Sequence, residues 1–287
     1  MKLVKFEYKG KYAQGIIADN TIAVIGEWHS GNPYNTPFSL PSQPTEELIA
    51  LANSAQEHVP LAQAQLLAPI SPTSKIICLG YNYKSHIEEV IGQEHEHPTL
   101  FARWPDTLVG HDHPLTRPLA SDTYDFEGEF AIVIGKHGRR ISPNRAQDHV
   151  FGYSCFFDGS IRAYQKHSVT AGKNFPGSGS MGPWIVAGPE TSTLADTFKM
   201  TTRINHKVVQ STSGELMVFD VPTIIAYVSE FTSLSPGDVI STGTPGGVGA
   251  LRTPPLWLKD QDAIEVEISG IGTLRNTIRQ EEPQHDQ

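Results

Sequence analysis

The sequence is short of cysteine, of net positive charge and of long apolar runs, and each shortage removes a class of protein. Only two cysteines occur, Cys78 and Cys155. Each lies inside an apolar, strand-like stretch, which predicts buried thiols in a reducing compartment rather than a disulfide framework. A formal net charge of -9 argues against nucleic acid or an anionic membrane as the partner and leaves a small molecule. Lys2, Lys5 and Glu7 interrupt the N-terminus before a signal-peptide core can form, and no apolar run approaches the roughly 18 residues of a membrane span. The expectation is a soluble cytoplasmic protein. Also missing are the zinc helix H-E-x-x-H, the phosphate loop G-x-x-x-x-G-K-[ST] and the nucleophile elbow G-x-S-x-G.

What is present divides near residue 70. Residues 1–70 read as a small β/α domain. Partly alternating runs at 3–8, 12–18 and 21–25 are separated by the turn signals Lys9-Gly10-Lys11 and Asp19-Asn20. A helix follows, with Thr45 as its N-cap, Glu46 and Glu47 in its first turn and Leu48, Ile49 and Leu51 on its apolar side. Pro69 to Thr73 form a connector, and residues 71–287 make the second, larger domain, opening with a strand at 75–79.

Most of the chemistry lies in Tyr124-Asp125-Phe126-Glu127-Gly128-Glu129-Phe130, which runs into Ala131-Ile132-Val133-Ile134. Side chains two apart on a strand share a face, so Glu127 and Glu129 stand side by side where this strand begins. The β-branched continuation predicts burial, and unpaired carboxylates are costly there. A cation is therefore expected. The strand-like run 150–157 ends in Asp158-Gly159-Ser160, which returns a third carboxylate to the same end of the sheet. Three oxygen ligands with no His or Cys suit Mg²⁺ or Mn²⁺ better than Zn²⁺. An E-x-E pair is also an ordinary solvated strand face, and Glu265-Val266-Glu267 is read that way because nothing catalytic accompanies it.

Acid–base chemistry has its own candidates. The segment from Gly80 to Gly92 reads as a turn and a short helix stopped by Gly92, on which His86 and Glu89 are i, i+3 neighbours. A His oriented by a carboxylate can act as general base; a surface ion pair is the plain alternative. Residues 93–98 form a His- and Glu-bearing loop expected to act as a mobile flap. His95-Glu96-His97 and His111-Asp112-His113 mimic metal motifs but sit in polar, turn-rich surroundings where solvated His is the ordinary explanation. After Asp158, Arg162 could form a fork to a substrate carboxylate, with Gln165 at helical spacing from it. Gly172-Lys173-Asn174-Phe175-Pro176-Gly177-Ser178-Gly179 is too glycine-rich for a core element and reads as an active-site loop bearing Lys173. Gly243-Thr244-Pro245-Gly246-Gly247-Val248-Gly249 follows a strand and could offer N–H groups and the Thr244 hydroxyl to an anion, or be only a tight corner.

Taken in order, D-F-E-G-E-F-A-I-V-I-G, Asp158, G-K-N-F followed by Gly182-Pro183-Trp184, G-T-P-G-G-V-G and the closing G-I-G-T-L-R-N resemble the fumarylacetoacetate hydrolase family over residues 70 to 280. The resemblance implies a mixed β-rich (α+β) fold, a β-sandwich-like roll of several sheets with few helices, and a homodimer. It implies a Mg²⁺ or Mn²⁺ site at Glu127, Glu129 and Asp158, a water-activating dyad of His86 and Glu89, and substrate contacts from Lys173, Arg162, Gln165 and Thr244. Two positions depart from the pattern. Phe101-Ala102-Arg103-Trp104 stands where relatives often carry Lys, and Phe157 where they often carry Asn before the metal-binding Asp.

The expected reaction is metal-dependent C–C hydrolysis of a β-diketone, a 2,4-dioxo acid of the acylpyruvate or fumarylpyruvate type. His86 would activate water, Lys173 would stabilise the enolate, and Arg103 or Arg162 would hold a second carboxylate. The same site would also serve an oxaloacetate-type decarboxylase or a muconate-type isomerase or hydratase, because fold does not fix reaction. A metal-stabilised binding protein is the non-enzymatic alternative.

Overall fold

The computed structural model describes residues 1–41, 44–90, 96–188 and 191–283. The chain opens as a meander of β1 (Lys2–Tyr8), β2 (Lys11–Ala18) and β3 (Thr21–Val24), followed by α1 (Pro44–Ser54) and the short β4 (His58–Pro60) and β5 (Gln65–Leu67). Next come β6 (Ile76–Gly80), α2 (Lys84–Val90), β7 (Thr99–Arg103), β8 (Leu108–Val109) and β9 (Pro114–Arg117). The site-bearing middle contains β10 (Tyr124–Asp125), β11 (Gly128–Ile134), β12 (Val150–Phe157), β13 (Ser160–Ile161), α3 (Arg162–Gln165), α4 (Val169–Lys173) and β14 (Gly179–Ala187). The last third holds α5 (Leu194–Thr197), β15 (Lys199–Ile204), β16 (Lys207–Ser213), α6 (Val221–Phe231), β17 (Val239–Ser241), β18 (Ala263–Ile268) and β19 (Gly272–Gln280).

A large mixed sheet in the order β4-β3-β2-β1-β14-β12-β11-β17-β6-β7 faces a five-stranded sheet, β16-β15-β18-β19-β9. Strand β1 pairs antiparallel with β14, so the N-terminal meander is hydrogen-bonded into the same sheet as the site. Strand β11 explains the layering. All seven of its residues are buried, and their alternation feeds two cores. Phe130, Ile132 and Ile134 pack with Met200, Ile204, Val266 and Ile268 of the smaller sheet, where Phe130 stacks on Phe198 with centroids 4.2 Å apart. Ala131 and Val133 point the other way, into a core with Leu3, Leu48 and Cys78. Glu129 shares their parity, which sends its carboxylate away from the inter-sheet core.

The β-rich fold with several mixed sheets agrees with the sequence reading, and β12 spans the residues the sequence pattern marked. Both cysteines are free and buried. Three local readings change. The stretch 124–134 is two strands with Phe126 and Glu127 between them, because β10 pairs with β13 while β11 pairs with β12. The glycine-rich segment does not carry Lys173 on an open loop: Lys173 ends α4 and is 2% exposed. Helix α1 starts at Pro44, the favoured first position for proline; the side chain of the expected cap, Thr45, lies outside the described residues. So do the expected stop at Gly92 and residues 93–95 of the expected flap. Among the described residues, no helix is long and apolar enough to cross a membrane.

Candidate active site

Where β11 and β12 begin and end together, Gly128 pairs with Phe157 and the backbone N–H of Asp158 donates to the Glu127 carbonyl at 2.9 Å. This register brings Glu127, Glu129 and Asp158 into one cluster. Each offers a carboxylate oxygen within 4.8 Å of the others, and all three side chains are buried. Burial, reinforced by Asp158 and Glu127, pushes Glu129 well above the usual carboxylate range. Buried like charges at this separation are relieved by a cation, and an all-oxygen donor set fits a hard divalent ion such as Mg²⁺ or Mn²⁺. The repeated spacing at Glu265 and Glu267 shows the contrast: Glu267 is exposed and pairs with Arg203 across the sheet.

Fixed cations surround the triad. Lys173 Nζ donates to Glu127 and, at 2.5 Å, to Asp158. Burial alone would lower its proton affinity, but Asp158 and Glu127 outweigh that and raise it. Arg162 donates from Nε to Asp125 at 2.7 Å, from Nη1 to Gln165 at 2.9 Å and from Nη2 to Glu127 at 2.5 Å. Burial would raise Glu127, yet Lys173 and Arg162 together hold it below the usual carboxylate range. Arg103 does not take its expected place as a substrate contact. Its side chain is fully buried behind Asp158, donating to that carboxylate at 2.6 Å, to Gly159 O at 2.9 Å and to Ser178 Oγ at 2.8 Å. The long side chain turns inward because β7 places it beside a buried anion.

The glycine turn after β17 does present N–H groups to anions, and those anions belong to the protein itself. Gly243 N donates to Glu129 at 3.1 Å, Gly247 N to Glu89 at 3.0 Å, and Gly249 N and Ala250 N to Asp125 at 2.7 and 3.0 Å. Gly247 has φ +97°, a conformation that glycine adopts without strain. The Thr244 hydroxyl donates its proton to Gly128 O at 3.0 Å and accepts from Gln210 at 2.9 Å. Its proton is thus committed within the protein, which leaves no hydroxyl donor for an anion in the cavity that Thr244 lines.

His86 is 7% exposed and lies against Tyr81, the ring centroids 5.6 Å apart. Its Nδ1 faces Glu89 at 3.6 Å, an ion-pair distance longer than a hydrogen bond. Burial lowers its proton affinity despite Glu127 and Glu89, so the imidazole is neutral at neutral pH and able to accept a proton. One cavity is lined by His86, Glu127, Glu129, Arg162, Gln165, Lys173 and Thr244, with Leu79, Phe101 and Val169 as apolar wall. Asp158 lies beneath it through Lys173, and Glu89 behind His86. The decoy pair is elsewhere: Asp112, between His111 and His113, is held by Arg275, and His95 is outside the described residues.

Sequence reasoning passed over Asp125, Gln210, Ser160 and Ser241. Asp125 was legible, since D-x-E-x-E sets three carboxylates at one period. Ser160 and Ser241 donate to Glu127 and Glu129, and no local pattern marks a serine for that task.

A buried cluster of three carboxylates with an imidazole and an ammonium at its edge, at the end of the large sheet, is a donor set that fits a hard divalent cation. Residues 75–279 match the family described as Fumarylacetoacetate (FAA) hydrolase C-terminal, and residues 1–69 match Rv2993c-like, N-terminal. The chain belongs to the fumarylacetoacetate hydrolase family. It is 40% identical over 224 residues to the oxaloacetate tautomerase YisK of Bacillus subtilis, covering 76% of this chain and 74% of that protein. Among solved structures, the fumarylacetoacetate hydrolase of Exiguobacterium antarcticum superposes with a TM-score of 0.79 at 35% identity, covering 98% of this chain and 100% of the other. The maleylpyruvate hydrolase of Sphingobium sp. SYK-6 gives a TM-score of 0.79 at 27% identity, with the same coverage.

Proposed function

We propose that this protein is a Mg²⁺- or Mn²⁺-dependent enzyme that interconverts the keto and enol forms of a small 2-oxo acid of the oxaloacetate type. The observation that carries this reading is the pairing, in one cavity, of the buried carboxylate triad with His86, the one neutral imidazole among its described lining residues. A divalent ion held by Glu127, Glu129 and Asp158 supplies Lewis-acid stabilisation of a developing enolate when bound. His86 takes the proton from C3 as the electron pair of that C–H bond forms the C2–C3 double bond and the carbonyl π pair moves onto the C2 oxygen, which gains a proton from solvent to give the enol; the reverse direction removes that oxygen proton and returns one from His86 to C3. With Nδ1 turned toward Glu89, Nε2 is the nitrogen left for substrate. Glu89, fixed by Gly247 N, orients the ring. Lys173 adds fixed positive charge beside the enolate oxygen.

The oxaloacetate tautomerase among its relatives supports this choice over the C–C hydrolysis expected from the motifs. Hydrolysis stays as the second reading because an imidazole with its Nδ1 facing a carboxylate also suits activation of water, and the maleylpyruvate hydrolase shares the fold. A cytoplasmic homodimer acting on a small molecule completes the proposal.

The test follows enol-oxaloacetate by ultraviolet absorbance alongside hydrolysis of a panel of acylpyruvates, both with Mg²⁺ and with Mn²⁺. Enol–keto exchange should run well above the buffer rate, and His86→Ala should lower it by about 10²- to 10⁴-fold. No acceleration of that exchange, together with rapid acylpyruvate cleavage, would replace this reading with the hydrolytic one.

A further inference from the structure

The peptide between two of the proposed metal ligands is held on one side by side chains from elsewhere, and we infer that Gln210 is the positioning residue that fixes it. The inference rests on the metal reading above. Gly128 separates Glu127 from Glu129. Strand β12 flanks it on one side, but on the other β17 pairs only with residues 131–133 and leaves Gly128 without a neighbouring strand. A buried backbone N–H and C=O need partners from somewhere. Gly128 N donates to Gln210 Oε1 at 3.1 Å, and Gly128 O accepts from Thr244 Oγ1 at 3.0 Å. Gln210 Nε2 closes the ring, donating to Thr244 Oγ1 at 2.9 Å and to Pro245 O at 3.0 Å.

Gln210 therefore reaches from β16 in the smaller sheet to supply the acceptor that a longer β17 would have supplied. Its side chain is 3% exposed, so it is no solvated surface amide. The approach is close: a Cβ on Gly128 would collide with the Thr202 hydroxyl of β15, so glycine is needed for the two sheets to meet here. Rotation of this one peptide would swing both glutamates. Hard-cation sites demand ligand distances held to a few tenths of an ångström, so groups behind the ligands tune affinity. The ring also commits the Thr244 proton to Gly128, which keeps the GTPGG turn in register with the ligand strand.

Direct Mn²⁺ binding to the full chain, read by electron paramagnetic resonance of the free ion without substrate, tests this. Gln210→Met, which keeps the bulk and removes both amide functions, should weaken Mn²⁺ by about 10- to 100-fold. Thr244→Val breaks the same ring from the turn side and should weaken Mn²⁺ likewise. The double variant should lose little beyond the larger single loss, because the ring acts as one unit. Ser229→Ala removes a buried hydroxyl that bonds Ile141 N and Ala226 O away from the site, and should bind Mn²⁺ as the unaltered protein does.

Mn²⁺ binding by folded Gln210→Met within about twofold of the unaltered protein would overturn the proposal, as would single losses that multiply in the double variant. Should Gln210→Met fail to fold, Thr244→Val carries the same criterion alone. No Mn²⁺ binding by the unaltered protein would overturn the metal reading and this inference together, which separates that failure from a failure of Gln210 alone.

Discussion

Replacing Arg103 by Met should unsettle the site more than any exposed charge could. Arg103 makes three hydrogen bonds from a side chain with no exposure, one of them to Asp158, which is itself fully buried. Removing one partner of a buried pair costs about 3–5 kcal/mol, because the remaining charge is left desolvated. Lys173 still faces Asp158 at 2.5 Å, which places the loss near the lower end, about 3 kcal/mol. For a chain of this size, whose unfolding entropy is about 0.6 kcal/mol/K, that is a drop in melting temperature of about 5 °C. Arg103→Lys keeps a charge but loses the fork that reaches Asp158 and Ser178 together, so about half the loss is expected. Thermal unfolding in chelator measures both, and added Mg²⁺ should narrow the gap by placing new positive charge against Asp158. Melting of Arg103→Met within about 2 °C of the unaltered protein would show that Asp158 does not depend on this guanidinium.

Three further outcomes are expected. Chelation should abolish turnover and Mg²⁺ or Mn²⁺ restore it; full activity in a metal-free preparation would remove the triad from the mechanism. His86 has a proton affinity below that of an unfolded-chain His, so the unfolded chain protonates first as pH falls. Stability should then decline below about pH 6.5, by at most about 1.4 kcal/mol per unit for one proton, and urea unfolding of His86→Asn should show a shallower decline over that range. Phe130→Ala removes a fully buried ring stacked on Phe198 and Tyr153, and a loss of about 3–5 kcal/mol is expected by denaturant unfolding.

Local periodicity made much of this molecule legible. The run at 150–157 became β12 because an aromatic-rich, largely apolar stretch of that length leaves few alternatives. The carboxylate triad was legible for a related reason: two of its members sit at strand period and the third follows an evident strand. Direction was not legible. Nothing local says that Arg103 turns back beneath Asp158 instead of into the cavity, since that choice is made by a carboxylate 55 residues away. Lys173 was read onto a loop because its glycines hid a five-residue helix stabilised by packing rather than propensity. Gln210 escaped notice for the same cause, its partners lying 34, 35 and 82 residues distant.

The turn from Gly243 to Ala250 ties these separate facts to one mechanism. Its N–H groups hold Glu129 of the triad, Glu89 behind the imidazole, and Asp125, which in turn holds Arg162. Around the cavity Glu89, Asp125, Glu127, Glu129 and Asp158 face the three fixed cations Arg103, Arg162 and Lys173, so carboxylates outnumber cations by two. Each of those cations already donates to carboxylates of the protein. On the function proposed, an anionic 2-oxo acid entering before a divalent ion would meet more carboxyl groups than cations, whereas one divalent ion, binding as Glu129 gives up its proton, would restore the balance. The proposed function therefore calls for the cation first and the acid second, with the backbone dipoles of one glycine turn keeping the carboxylates in place while the net charge of the cavity changes.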